Sequence, residues 1–205
     1  MQLKRKSGTC PVSKGITLSF GLLLNTSESG NMRSFIAVQV PEALSAYDIS
    51  QIRKHAKVSI VPPGNRHITL AFLGDISEDD AKIAEYCLRS IDIKPFTVSM
   101  TGIGTFDDRV VFIEGESDEL IRIQSRLTDL LTSEGIAVDR KKFVIHATLC
   151  RVKEIKSKHL FANFIKSCQN SFQTVEFNVE SIVLYRSTLS QSGAQYTPLY
   201  RLMCK

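Results

Sequence analysis

Asn65-Arg66-His67-Ile68-Thr69-Leu70-Ala71-Phe72-Leu73-Gly74 and Lys142-Phe143-Val144-Ile145-His146-Ala147-Thr148-Leu149-Cys150-Arg151 share one pattern, His-x-Thr-x, set in an apolar, β-favouring run. Side chains along a strand alternate between its two faces. His67 and Thr69 therefore share one face, with Ile68 and Leu70 on the other. His146 and Thr148 pair in the same way, backed by Ile145, Ala147 and Leu149. Each strand would bury its apolar face and offer an imidazole and a hydroxyl on the opposite one. Two such strands beside a common cleft would set two imidazoles and two hydroxyls around one small ligand. A lone imidazole on a half-buried strand is ordinarily a structural residue. The repetition argues for function, because the chain has only four histidines. The other two, His55 and His159, fall in polar helical stretches and are expected to be solvated.

Outward from the motifs, strands and helices alternate. Phe35 to Val40 reads as a buried strand. Pro41 opens a helix where its missing N–H does no harm, with Ala43, Leu44, Tyr47 and Ile52 as its apolar side. Val58 to Val61 is extended, and Pro62-Pro63-Gly64-Asn65 turns into the first motif strand. Ser77-Glu78-Asp79-Asp80 reads as a capping box opening a helix buried through Ile83, Ala84, Cys87 and Leu88. Phe96 to Met100 and Arg109 to Glu114 are strands flanking Thr101 to Asp108. That segment has Gly-x-Gly but lacks the third glycine and the helix of a dinucleotide fingerprint, so it is expected to be a mobile loop near the cleft. Ser117 caps a helix carrying Leu120, Ile121, Leu127, Leu130 and Leu131, which Gly135 stops. Phe143 to Cys150 is the second motif strand, and Ser157 starts a helix with Leu160, Phe161, Phe164 and Ile165. Glu176 to Arg186 and Gln195 to Leu202 form a hairpin around Gln191-Ser192-Gly193-Ala194. Paired strands between helices indicate an α+β fold with largely antiparallel sheets. The duplicated motif suggests two similar lobes, each giving one motif strand to a central groove.

Composition narrows the function classes. The 205 residues allow one sizeable domain or two small lobes, and no apolar run approaches the roughly 20 residues that span a bilayer. The net charge is +5, but Lys4, Arg5, Lys6 and Lys14 against Glu28 place most of the excess ahead of residue 32. No Lys/Arg stripe of a duplex-gripping surface is visible, so the charge suits a small or terminal phosphate better than a long duplex. The five cysteines, Cys10, Cys87, Cys150, Cys168 and Cys204, are scattered and lack a C-x-x-C pair. Neither a zinc site nor a disulfide framework is expected; free thiols in a reducing cytoplasm are. Strand parity puts Cys150 on the face of His146 and Thr148, though a small buried hydrophobe fits it better than a nucleophile. Residues 1–31 are expected to be a flexible extension outside the fold. Lys4-Arg5-Lys6 and the run 15–24 mimic a signal peptide, but the apolar stretch is short and no small-residue cleavage site follows.

The two motifs, with Met32-Arg33-Ser34-Phe35-Ile36-Ala37-Val38, Arg109-Val110-Val111-Phe112 and the tail Leu184-Tyr185-Arg186-Ser187, Gly193 and Tyr196, resemble the 2H phosphoesterase superfamily. Within it, the likeness is to RNA 2′,3′-cyclic phosphodiesterases, historically called 2′-5′ RNA ligases. It covers residues 32–205, and residues 1–31 have no counterpart. The resemblance implies a bilobal α+β fold of two antiparallel-rich sheets with outer helices, related by a pseudo-twofold axis, both motifs lining the groove between lobes. It implies metal-free hydrolysis of a terminal 2′,3′-cyclic phosphate on RNA to a 2′-phosphate, and weak, reversible 2′-5′ joining of tRNA halves. By the same resemblance His67 is the proton donor and His146 the proton acceptor, and Arg151 matches an arginine that would clamp the phosphate.

The chemistry accounts for the residue types. Opening a cyclic phosphodiester needs a base for water and an acid for the departing ribose oxygen, and two imidazoles serve both needs near neutral pH. The hydroxyls of Thr69 and Thr148 can donate to the non-bridging oxygens. Parity sets Arg151 opposite His146 unless the strand bends after Cys150. Tyr196 and Phe72 are candidates to stack on a base or to pack in the core. Expected partners are RNA ends such as tRNA fragments or oligonucleotides with a cyclic phosphate; no membrane, metal or cofactor is expected, and the chain is expected to act as a monomer. Two alternatives stay open: a 2H phosphodiesterase acting on another cyclic or 2′-5′ nucleotide, and a non-catalytic module that binds RNA ends.

Overall fold

The computed structural model describes residues 30–139, 142–191 and 193–205. Residues 1–29 of the extension expected at 1–31, and Ser192, lie outside the described residues. Strand β1 (Met32–Gln39) leads to a single helical turn α1 (Glu42–Ser45) and a 3-10 turn at Ser50–Lys54. Then come β2 (Ala56–Ile60), a 3-10 turn at Pro63–Asn65, the first motif strand β3 (His67–Ile76) and helix α2 (Glu78–Arg89). The second half holds β4 (Phe96–Phe106), β5 (Val110–Glu116), α3 (Asp118–Ser133), the second motif strand β6 (His146–Ile155), α4 (Lys158–Ser171), β7 (Val175–Val179), β8 (Ser181–Ser190) and β9 (Gly193–Met203).

The strands form one sheet in the order 7-4-5-6-3-1-8-9, with β2 added to β6. Each half of that order is a four-stranded antiparallel set, 7-4-5-6 and 9-8-1-3, and the two meet at the β6–β3 junction. The junction is a single residue pair, Ile68 with Ala147. The two expected sheets are thus halves of one sheet, pinned together at the centre of the two motifs. Its outer ends also approach each other. β7 pairs with β4 in one half and β8 with β1 in the other, yet only Glu180 separates β7 from β8. The sheet must curl for one residue to bridge its two halves, which is why Glu176 to Arg186 divides into two strands.

The face of the sheet opposite the motif imidazoles is dry. Ile68, Ala147 and Leu149 are buried there together with Ala84, Cys87 and Leu88 of α2, Leu120, Leu127 and Leu131 of α3 and Phe161 and Ile165 of α4. The capping box at Ser77 forms as expected, with Ser77 Oγ accepting from Asp80 N and the Asp80 carboxylate accepting from Ser77 N. Ile121 and Leu160 instead lie exposed on their helices.

Two segments depart from the sequence expectation for identifiable reasons. The helix expected after Pro41 stops after one turn. Arg66, only 4% exposed, donates from Nη1 to the carbonyls of Ser45 and Tyr47 at 2.7 Å and Leu44 at 3.4 Å, and from Nε to Val61 O at 3.3 Å. Asp48 then accepts from Ser50 N at 2.8 Å and closes a local turn. The carbonyls a longer helix would consume are committed to the guanidinium. The expected mobile loop at Thr101–Asp108 is the second half of β4 and a tight hairpin turn. Asp107 and Asp108 both sit at positive φ (48° and 53°) and Arg109 N donates to Phe106 O at 2.8 Å, the geometry of a type I′ turn.

Arg66 is a buried cation hydrogen-bonded to backbone carbonyls; burial lowers its pKa, opposed by the charge of Asp48. Replacing it by Met, which has no donors, removes its hydrogen bonds to the carbonyls of Ser45, Tyr47 and Val61. We expect Arg66→Met to lose about 3 kcal/mol of stability, measured by urea unfolding with an unchanged denaturant slope.

Candidate active site

The imidazoles owe their common face to the Ile68–Ala147 pair. In an antiparallel ladder that register sets His67 opposite Thr148 and Thr69 opposite His146, all on the face away from Ile68 and Ala147. A groove of about 620 Å³ opens over them. His67, Thr69, His146, Thr148 and Arg151 all line it, so the structure brings all five expected site residues together. His55 and His159 stand apart. His159 is exposed on α4, while His55 is half-buried against the Phe164 ring at 5.2 Å rather than solvated.

Strand parity fails just past each motif, and it fails in the same way twice. Along β1–β3, Ile36 pairs with Ala71 and Ala37 with Thr69, skipping Leu70. Along β5–β6, Val111 pairs with Cys150 and Phe112 with Thr148, skipping Leu149. Each is a β-bulge, which inserts one residue and re-aims those that follow. Leu70 and Ala71 are therefore both buried, as are Leu149 and Cys150. Cys150 leaves the groove face that parity gave it and becomes a core thiol, its pKa pushed up to about 11 by burial. The residues after the bulges return to the groove: Phe72 from β3 and Arg151 from β6. The strand does bend, though at Leu149 rather than after Cys150, and that bulge carries Arg151 round to the side of His146.

Each imidazole is oriented alike. His67 Nδ1 lies 2.7 Å from Asn65 O and His146 Nδ1 2.8 Å from Val144 O. A carbonyl only accepts, so both rings carry a proton on Nδ1 and leave Nε2 as the reactive nitrogen. Each ring is also walled by aromatics. Phe35 stacks on His67 at 4.7 Å and Tyr196 meets it edge-on at 5.3 Å. Phe112 and Phe106 meet His146 edge-on at 5.3 and 5.0 Å. Burial holds both imidazoles below their ordinary pKa, opposed by the Asn65 or Val144 carbonyl. Repulsion lowers them further, from His146 on His67 and from Arg151 on His146.

The Gly-x-Gly of β4 takes its meaning from this wall. Gly104 pairs across the ladder with Phe112, and a Cβ there would fall 2.5 Å from Phe112 Cε2. The missing side chain leaves room for the ring that supports His146.

Sequence reasoning missed Arg33. It lines the groove and lies 4.7 Å over the Phe72 ring, which is 42% exposed. The apolar run that follows Arg33 gave no polar pattern to flag it, and its partner Phe72 reaches the groove only through a bulge. Arg33 and Arg151 make the lining cationic, and no carboxylate among the described residues lines it. The hydroxyls of Thr69 and Thr148 face the same space. Among the described residues no three His, Cys, Asp or Glu side chains gather as a metal-ligand group, and no helix is long and apolar enough to cross a membrane.

These features place the chain in a family. It belongs to the 2′-5′ RNA ligase superfamily, whose sequence profile matches residues 40–191. A protein of Methanocaldococcus jannaschii named RNA 2′,3′-cyclic phosphodiesterase is 30% identical over 172 residues, covering 80% of this chain and 96% of its own. One of the same name from Aquifex aeolicus is 32% identical, covering 81% and 94%. Among solved structures, a Thermus thermophilus protein superposes with a TM-score of 0.69 at 27% identity, covering 84% of this chain and 97% of that one. The fold is also that of Escherichia coli LigT, solved with 3′-AMP, at a TM-score of 0.68 and 23% identity over 85% and 98% of the two chains.

Gly104→Ala tests the His146 wall. It should displace the Phe112 ring at a cost of about 1–3 kcal/mol and lower turnover through His146. A variant whose melting temperature and turnover both match wild type would show that the ring is not held where it stands.

Proposed function

We propose that the protein hydrolyses RNA 2′,3′-cyclic phosphate ends to 2′-phosphomonoesters, without a metal, using His67 and His146 as acid and base. The observation that carries this reading is the arrangement of the two imidazoles. Each spends Nδ1 on a carbonyl and keeps Nε2 free, and they flank one groove that two hydroxyls and two arginines, but no carboxylate among the described residues, line. Relatives named for this activity support the substrate class.

In the reaction, His146 Nε2 takes a proton from water as the water oxygen bonds to phosphorus. The P–O3′ bond breaks, and protonated His67 gives its Nε2 proton to the departing 3′-oxygen. The product is a 3′-hydroxyl and a 2′-phosphate. Thr69 and Thr148 donate to the non-bridging oxygens, where charge builds in the transition state. Arg151 adds a charge-assisted contact to the phosphate, with Arg33 supplying further positive charge to the groove. A 5′-hydroxyl entering in place of water would give a 2′-5′ linkage through the same proton transfers. The assignment of His67 as acid and His146 as base follows the family resemblance; the pseudo-twofold would allow the reverse.

Replacing His67 or His146 by Ala should lower turnover of an oligonucleotide 2′,3′-cyclic phosphate by about 10²–10⁴-fold with affinity little changed. Thr69→Ala and Thr148→Ala should cost less, because proton transfer remains. The acid must be protonated and the base neutral, so kcat/KM should be bell-shaped in pH. Both imidazoles are shifted downward, so both limbs should lie on the acid side of where free imidazoles near 6.5 would put them, and the apparent values belong to the pair. Wild-type binding of an RNA 2′-phosphate by both His→Ala variants, with no wild-type turnover on any cyclic phosphate, would identify a binding module instead.

Metal independence has its own test. Turnover should survive exhaustive chelation with EDTA. Activity that disappears and returns with zinc or manganese would overturn that part of the reading.

A further inference from the structure

The segment leading into His67 is fastened to three separate parts of the fold. Val61 N donates to Leu149 O at 2.8 Å, on the strand of the other motif. Pro62 and Pro63 restrict the backbone, and the turn closes with Asn65 N to Pro62 O at 2.9 Å and Arg66 N to Pro63 O at 3.1 Å. Arg66 then anchors to the carbonyls after α1.

Asn65 adds the third tie. Its Nδ2 donates to Ala194 O at 2.7 Å, at the start of β9, while its own carbonyl accepts from His67 Nδ1 at 2.7 Å. One residue therefore holds the β8–β9 hairpin with its side chain and the imidazole with its backbone. The hairpin reaches His67 again through Tyr196. The same hairpin walls the groove with Ser187, Leu189, Gly193 and Ala194.

The second motif lacks this link. The carbonyl that accepts from His146 Nδ1 belongs to Val144, whose apolar side chain has no amide to bind another element. The two imidazoles are alike in tautomer and unlike in support.

We infer that Asn65 is a positioning residue for the reaction: its amide fixes the β8–β9 wall to the carbonyl that orients His67, so the aim of His67 Nε2 depends on where the hairpin sits. The inference rests on the proposed role of His67. A ligand that presses on the wall at Leu189 or Ala194 is transmitted to His67 through this bond, with no matching route to His146.

The test uses the full chain and three variants. Asn65→Ala removes the amide. Asn65→Ser keeps a turn-favouring residue but is too short to reach Ala194 O. Asn65→Gln retains a donor on a longer arm and serves as the rescue.

Imidazole nitrogen NMR above the histidine titration should show wild-type His67 and His146 both protonated at Nδ1. In the Ala and Ser variants His67 should become a mixture of tautomers while His146 keeps its wild-type signal. On an oligonucleotide 2′,3′-cyclic phosphate, kcat should fall on the order of 10–100-fold with KM little changed, and Gln should restore part of it. The limb of the pH profile set by His67 should move to lower pH, because the carbonyl opposes the effect of burial. An unchanged His67 tautomer in both variants would overturn the inference, as would equal changes at His67 and His146, which would mark general loosening. The NMR readout needs no substrate. A wild type without turnover would therefore sink the proposed function and leave the Asn65–His67 coupling to be judged on its own.

Discussion

One residue pair carries the architecture. Ile68 and Ala147 are the single register pair between β3 and β6, and on them rest both the continuity of the sheet and the composition of the groove. Their side chains point into a dry core, so the residues on either side of each must point the other way. Shifting this register by one residue would exchange core and groove faces along one motif strand. Burial of Ile68 and Ala147 beneath the helices makes such a slip costly, because it would push apolar groups into solvent and imidazoles into the core. The hydrophobic effect thereby fixes the spacing of polar groups on the opposite face.

A second constraint acts a few residues downstream. The paired bulges at Leu70 and Leu149 spend two successive apolar residues on the core and turn the next residue outward. In one half that residue is Phe72 and in the other Arg151. The two lobes thus use one backbone device to present different chemistry. Phe72 with Arg33 above it makes an aromatic and cationic end, while Arg151 adds a guanidinium on the side of His146. A polar end group and a flat base have different needs, and the pseudo-twofold groove is made asymmetric at these positions.

The burial that shapes the groove also tunes it. Aromatic rings around His67 and His146 disfavour the charged imidazole, while the carbonyls at Nδ1 favour it and select the tautomer. These opposing effects keep a proton on Nδ1 and leave Nε2 to exchange one. Gly104 contributes by what it lacks, since the Phe112 ring occupies the space a side chain would take.

The strands, the capped helices and the two His-x-Thr faces were readable from the chain alone, because they follow from local periodicity and capping chemistry. His67, Thr69, His146 and Thr148 were legible for that reason. The remaining features arise where distant partners break local rules. Parity alone put Cys150 in the groove and left Arg151 out of it; cross-strand pairing inserted a bulge and exchanged them. A helix was expected beyond Pro41 because its apolar spacing is helical, and a guanidinium from Arg66 took its carbonyls. The Gly-x-Gly of β4 looked like a loop because glycine has no strand preference, whereas the Phe112 ring on the neighbouring strand requires it there. Bulges, buried cations and glycine–aromatic pairs arise from contacts between residues far apart in the chain, and no local window of sequence contains both partners.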